Sequence, residues 1–283
     1  MQKGLSELTI SKKNILIAFL CGVLCNFDII ALTDKTSLLF SDIILKFSMC
    51  DFSLFSDDVM PVFQWSFPLI LFQSMFGFSI YRHFCDASIY CFSRRNNRIS
   101  WLFKELSSLA VNALIFLISE LMGGLLLTLL THKITFNKSS WILLLYYFVI
   151  YFLWLIFTTL LINLISIKLT SVVGFTTVVG IELAYIVLFF FIKNEMVTLS
   201  ETGTKIIAEK QYWFKLNPFA HLNLSWHSTN NQFISKYISI YKDINFDLNF
   251  TLIVFFVLCV ITIVAGCFIV KNVEFINSSR EEY

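Results

Sequence analysis

The feature that most constrains this chain is a series of apolar stretches, each close to the length that a helix needs to cross a bilayer. The hydrocarbon core is about 30 Å thick and takes roughly 20 helical residues to cross, and a backbone inside it must satisfy its own hydrogen bonds. The composition agrees, because 57% of the residues are hydrophobic and 14% are charged, against about 45–50% and about 25% in soluble domains. We therefore predict an all-α integral membrane protein, a single domain over residues 1–283, with spans at 14–33, 63–80, 106–130, 141–167, 172–192 and 251–270.

The second stretch is the least hydrophobic of the six. Gln64, Pro68 and Gln73 lie within it, and each lowers its tendency to enter lipid. Its assignment as a span depends partly on its neighbours, since six crossings bring both termini to one side.

The distribution of Lys and Arg predicts the orientation, because these residues are enriched in cytoplasmic loops. If the N-terminus is inside, the two shorter outer loops carry only Lys35, Lys46, Lys133 and Lys138. We therefore predict that both termini are cytoplasmic. The inner side then holds Lys3, Lys12, Lys13, Arg82, Arg94, Arg95, Arg98, Lys104, Lys168, Lys271 and Arg280.

Two outer segments are long enough to be organised. Residues 34–62 mix apolar and acidic residues, as does an amphipathic piece lying at the membrane interface. Residues 193–250 form a large extracellular segment before the last span. It contains Trp213, Pro218 and Trp226, which predicts a small folded cap or a re-entrant element.

The cytoplasmic loop at 81–105 is the most distinctive part of the chain. Arg94, Arg95 and Arg98 cluster around Asn96 and Asn97, with aromatic residues on both sides. One interpretation is an anchor that follows the positive-inside rule, with aromatic residues at the interface. The other is a docking element pressed into a partner protein, whose acidic groups would meet the arginines.

In these features the chain resembles the permease subunits of type-two ABC exporters. It is most similar to the small six-span permeases encoded beside peptide or bacteriocin-immunity ATPases in Gram-positive bacteria. The most similar stretches are YRHF…SRRNNRISW at 81–101 and KLNPFAHLNLSWHS at 215–228. The resemblance implies a multi-pass protein of the bacterial plasma membrane, whose loop between spans two and three contacts the ATPase. The residues it implicates are Arg82, Tyr90, Arg94, Arg95, Arg98 and Trp101.

The chain has no phosphate-binding loop of the pattern G-x-x-x-x-G-K-[ST]. The closest fragment, Thr202 to Lys205, lacks the upstream glycine. We therefore expect no catalytic residue, cofactor or metal on this chain, and ATP and Mg on separate ABC ATPase subunits. A second permease copy or a sister permease would complete the transporter. The net charge of +2 does not suggest a nucleic-acid partner.

Three polar residues inside the spans are candidates for a substrate path. Asn112 and Glu120 lie in the third span and Glu182 lies in the fifth. An ionised side chain at the bilayer centre costs roughly 2.5–3.5 kcal/mol on insertion scales, so such residues face protein or water. They either line the path of an amphipathic or cationic substrate or hold the helices together.

The fifth span also carries a ridge of small residues at Thr176, Gly180 and Ala184. A ridge with this spacing suits close contact with another helix. Glu182 lies about 200° around the helix from Gly180. The acid therefore points to a different protein surface or to a substrate cavity.

The leading prediction is an ABC transporter subunit that moves an amphipathic substrate, either a peptide or a lipid-like molecule. An intramembrane enzyme is less well supported, because the chain has no H-E-x-x-H motif and His221 and His227 are a weak metal pair. A channel or a secondary transporter is an alternative function. A sensor or immunity subunit that binds a peptide outside without moving it is another.

Overall fold

The computed structural model describes residues 12–27, 37–48, 59–90, 97–200, 213, 215–238 and 246–273. Helices dominate this part of the chain. In chain order the elements are α1 (Lys12–Cys25), β1 (Ser37–Leu39), α2 (Phe40–Phe47), α3 (Val59–Phe76), α4 (Ser79–Tyr90), α5 (Arg98–Thr131), β2 (Lys133–Thr135), α6 (Lys138–Lys168), α7 (Ser171–Ser200), α8 (Pro218–Leu222), a 3₁₀ helix (Leu224–Trp226), α9 (Ser235–Ile238) and α10 (Leu248–Asn272).

Four helices in the described residues are long and apolar enough to cross a membrane. They are α5, α6, the part of α7 from Ser171 to Ile192, and α10. These correspond to the third to sixth predicted spans and support a helical membrane protein. Their ends differ from the predicted ones by up to eight residues, since the polar residues that flank each apolar stretch also join the helix.

The first two predicted spans are shorter or interrupted. The described helix α1 has 14 residues, about 21 Å at 1.5 Å per residue, and residues 28–33 of the predicted span lie outside the described residues. The stretch predicted at 63–80 is not one helix: α3 ends at Phe76, and a turn at Gly77 and Phe78 separates it from α4. Six crossings therefore stay a prediction.

The predicted cytoplasmic loop at 81–105 is expected to contain a short aromatic helix, a basic turn and the start of the next helix, and its described residues agree. Residues 79–90 form helix α4, and residues 98–105 are the first turns of α5. Helix α5 begins early because the Asn97 side chain accepts a hydrogen bond from the Ser100 amide, as an N-cap does. The helix has 34 residues, about 51 Å, which exceeds the bilayer core. Likewise, α7 extends to Ser200 and α10 begins at Leu248, so the predicted segment 193–250 is helical at both ends.

The all-α prediction needs one small correction. Strands β1 and β2 pair in parallel, with Leu38 opposite Ile134, and join the two shorter loops that are predicted to be outside. Helix α2 follows directly. It is buried except for Asp42, with Lys46 half-buried, and it packs against α6. Residues 37–48, from the predicted interfacial segment 34–62, are therefore mostly buried against the rest of the protein; their position relative to a membrane interface stays a prediction.

Helices α1 and α5 pack together more extensively than any other pair of described elements. Two glycines allow this approach. A Cβ atom on Gly22 would lie 1.9 Å from the carbonyl oxygen of Glu120, and one on Gly123 would lie 2.1 Å from that of Phe19. Such distances are possible only without a side chain. The contact depends on Gly22 and Gly123.

The segments predicted to be cytoplasmic meet at one end of α5. The Arg98 guanidinium donates hydrogen bonds to the carbonyl oxygens of Val270 (3.3 Å) and Val273 (2.9 Å), at the end of α10. His83 of α4 lies 2.9 Å from Glu105 of α5. We call this the Arg98 end.

The segments predicted to be extracellular meet at the other end of α5, which we call the Thr131 end. Besides the β1–β2 pair, the Asn137 side chain donates to the Tyr237 hydroxyl (3.1 Å), and the Tyr146 hydroxyl donates to Asn249 (2.9 Å). Which end faces the cytoplasm remains the prediction from the positive charges.

Candidate functional site

A cavity of about 480 Å³ lies between α6, α7, α10 and the segment that precedes α8. This volume is in the range of small-molecule sites. Its walls are almost entirely apolar, with the aromatic residues Trp154, Phe157, Tyr185 and Phe250 among them. The cavity can hold a molecule that is mostly apolar.

Glu182 is the acidic residue in the wall of this cavity, and only 4% of it is exposed. Its Oε1 accepts a hydrogen bond of 2.6 Å from Nε2 of Gln73 on α3. The same amide nitrogen lies 3.0 Å from the hydroxyl of Thr158. Glu182 thus meets both a neighbouring helix and the cavity, and its role in a substrate path stays a prediction. Thr176, Gly180 and Ala184 themselves are exposed, and no described atom lies within 4 Å of a Cβ built on Gly180.

The residues from 215 to 227 close one side of the cavity, and two buried histidines hold them to the last helix. His221 donates to the carbonyl of Lys215 (2.8 Å), and His227 donates to that of Asn223 (2.8 Å). The remaining ring nitrogen of each histidine lies within 2.8 Å of the Thr251 hydroxyl, in the first turn of α10. This described part of the 193–250 segment is therefore folded against α10, and we call residues 215–227 the cap; its place outside the membrane stays a prediction.

Burial disfavours the charged form of both histidines. It lowers the pKa of His221 to about 4 and that of His227 to about 3, since a buried imidazolium loses its hydration. The ring of His227 also stacks on Phe246, with centroids 4.4 Å apart. The described ranges contain no group of three or more His, Cys, Asp or Glu that could hold a metal ion. We read the pair as a link between the cap and α10.

The other two residues predicted for a substrate path lie elsewhere. Glu120 is 5% exposed and sits where α1 crosses α5, within electrostatic range of Cys21 and Tyr147. Asn112 donates to the carbonyl of Ser108 in its own helix. It borders a pocket of only about 10 Å³, room for about one water molecule. The structure does not bring Asn112, Glu120 and Glu182 together.

Near the Arg98 end, helix α4 is fixed to two spanning helices. Asn163 of α6 accepts a hydrogen bond from the Tyr81 amide (3.0 Å) and donates one to the Phe76 carbonyl (3.3 Å). Its side chain therefore spans the turn between α3 and α4. On the other side, the ring of Phe84 contacts that of Trp101 on α5, with centroids 5.7 Å apart. A displacement of α4 must therefore move α5 and α6.

The residues predicted to contact an ATPase differ in their exposure and in the residues that they contact. Arg82 of α4 is exposed, whereas Arg98 binds the end of α10 and Trp101 is half-buried against Phe84. Tyr90 is in the last turn of α4, and its side chain lies outside the described ones. Arg94 and Arg95 lie outside the described residues. Of the described side chains in this set, Arg82 is the exposed one.

Several residues that organise these regions are not among the predicted site residues. Asn163 and Thr158 are polar residues inside the longest apolar stretch, and polar residues in such a stretch usually have a specific role. The sequence therefore contains a signal for both residues. For Gln73, the sequence predicts only that it makes the second span less hydrophobic. The link between Thr251 and the two histidines could not be found from the sequence, because it joins positions 24 and 30 residues apart through their side chains.

Comparisons of the chain with protein-family models, curated proteins and solved structures give no match.

Proposed function

We propose that the chain is the membrane-spanning subunit of an ATP-binding cassette transporter in the bacterial plasma membrane. It moves an amphipathic substrate, a peptide or a lipid-like molecule, across or out of the bilayer. Separate ABC ATPase subunits bind ATP and Mg and supply the energy. A second copy of the chain or a sister permease completes the pathway.

The observation that carries this proposal is the bracing of α4 between the spanning helices. Asn163 ties the start of α4 to α6, and the contacts from His83 to Glu105 and from Phe84 to Trp101 tie its middle to α5. A protein that pushes on the exposed face around Arg82 would move both helices. Such a short braced helix suits the transmission of force from an ATPase.

The cavity beside Glu182 supports the transport part of the proposal. One of its walls, α6, is also the helix that carries Asn163. Movement of α4 would therefore reach the cavity through a single helix. The apolar and aromatic walls favour an amphipathic substrate over a sugar or a small ion.

The test is a mild-detergent purification of the tagged chain from its native host. We expect an ATPase with a phosphate-binding loop to copurify and to hydrolyse ATP. Arg82→Glu, which reverses the exposed charge on α4, should reduce the recovered ATPase at least tenfold. Lys133→Glu is the matched control, because Lys133 is also exposed but lies at the Thr131 end.

A stable, correctly folded chain without any nucleotide-binding partner would contradict the proposal. Equal recovery of the ATPase with Arg82→Glu and Lys133→Glu would contradict the assignment of α4 as its contact. If the complex hydrolyses ATP but vesicles containing it move no substrate, the chain is a sensor or immunity subunit.

A further inference from the structure

We infer that the cavity beside Glu182 binds a lipophilic ammonium compound. The inference rests on the proposed function for the role of the cavity and names the chemical class of its substrate. Two features of the cavity carry the inference. They are a buried acid without a counter-ion and aromatic walls.

The carboxyl group of Glu182 has no cationic partner in the described part of the chain. Its one hydrogen bond comes from the neutral amide of Gln73. A buried carboxylate without a counter-ion loses its hydration and gains little in return. An ammonium group in the cavity would supply the missing charge.

The walls favour a cation attached to an apolar body. Trp154, Phe157, Tyr185 and Phe250 line the cavity, and aromatic faces attract cations, most strongly when water is excluded. Lys215 lines the same cavity. Its charge would repel the ammonium group, so removing it should strengthen binding.

The experiment measures the binding of radiolabelled glycine dodecyl ester to the full chain in nanodiscs of uncharged phosphatidylcholine. This probe has an ammonium group, a carbonyl oxygen next to it and a twelve-carbon chain. We expect saturable binding that weakens at least tenfold with Glu182→Gln. Glu120→Gln is the matched control, because Glu120 is also a buried acid but lies outside this cavity, and it should bind as the wild type does.

Two analogues separate the contributions of the ligand's groups. Dodecyl acetate lacks the ammonium group and should bind at least tenfold more weakly than the probe. Dodecylamine keeps the ammonium group and the twelve-carbon chain, so it should bind about as tightly as the probe. Lys215→Met should bind the probe more tightly.

Equal binding of dodecyl acetate and the probe would overturn the inference, because the cavity would then be an apolar groove for any acyl chain. Weaker binding by Lys215→Met would also overturn it, since an anionic group would then be the ligand. The thermal unfolding midpoint of each variant shows whether it is folded. No ATPase takes part in this assay, so its outcome is independent of the copurification that tests the proposed function.

Discussion

The side-chain amide of Gln73 donates a 2.6 Å hydrogen bond to the carboxyl group of Glu182, which joins α3 to α7. Both residues are costly in lipid when taken singly. Each is tolerated in its apolar stretch because the other is its hydrogen-bond partner. Gln73 lies in the second stretch and Glu182 in the fifth. The same bond holds the acid at the wall of the cavity.

Removing one partner of this bond should destabilise the fold. Gln73→Leu leaves the carboxyl group buried without a donor, and we expect a loss of about 1–2 kcal/mol in the free energy of unfolding. Adding Glu182→Leu removes the orphaned group and should recover part of that loss. Denaturant unfolding in mixed micelles measures the free energy of unfolding of Gln73→Leu, of Glu182→Leu and of the double variant. If the losses of the two single variants add up to the loss of the double variant, the side chains are not coupled.

The contact between α1 and α5 should fail when either glycine gains a side chain. Gly22→Ala or Gly123→Ala places a methyl group about where a backbone carbonyl oxygen now lies, so the helices must separate. We expect losses of about 1–3 kcal/mol, as for other overpacked sites. Thermal unfolding measures the change.

Gly180→Ala is the matched control for these substitutions. No described atom lies within 4 Å of the added carbon, and alanine is a better helix former than glycine by up to about 1 kcal/mol. The control should be neutral or stabilising. A loss equal to that of Gly22→Ala would show that the close approach of α1 and α5 is not the cause.

Acidification should loosen the cap formed by residues 215–227. The folded-state pKa values of His221 (about 4) and His227 (about 3) lie below the unfolded value of about 6.5. The unfolded state therefore binds protons first as the pH falls below about 6.5. Stability then decreases by about 1.4 kcal/mol per pH unit for each histidine, down to its folded pKa.

The measurement for the cap is the rate of proteolytic cleavage within 215–227 at pH 7 and at pH 5. Cleavage should be faster at pH 5 after correction for the activity of the protease. His227→Gln, which stays neutral, should reduce this dependence on pH. If cleavage of His227→Gln depends on pH as strongly as cleavage of the wild type, protonation of His227 does not cause the opening of the cap.

Arg98 should matter for stability whether or not an ATPase is present. Its guanidinium donates to carbonyl oxygens at the end of α10, where the helix leaves them without partners. Arg98→Ala should lower the free energy of unfolding by about 1–2 kcal/mol. Lys104→Ala is the control, because Lys104 is an exposed cation on the same helix. If both variants unfold alike, the capping bonds contribute nothing.

Hydrophobic length predicted the four long helices, because burial in lipid depends on summed side-chain character and little on context. It did not predict their ends, which depend on local caps such as that of Asn97 on Ser100. It also missed the break after Phe76, where a single glycine in an apolar run gave too weak a signal.

At the candidate site, the helical angle between Gly180 and Glu182 correctly separated the acid from the small-residue ridge. The cavity itself could not be predicted. It is formed by residues from α6, α7, α10 and the cap, and the relative positions of these elements depend on packing between side chains far apart in the sequence. Asn112 and Glu120 were grouped with Glu182 by depth in the membrane, a criterion that ignores which helices are neighbours.

The ATP hydrolysis rate of the purified complex, measured with and without glycine dodecyl ester, tests the ATPase contact and the cavity together. We predict that the compound stimulates hydrolysis by the wild-type complex and fails to stimulate that of Glu182→Gln, whereas both complexes contain the ATPase. A chain that carries no ATPase, or a complex in which Glu182→Gln responds as the wild type does, would contradict this prediction.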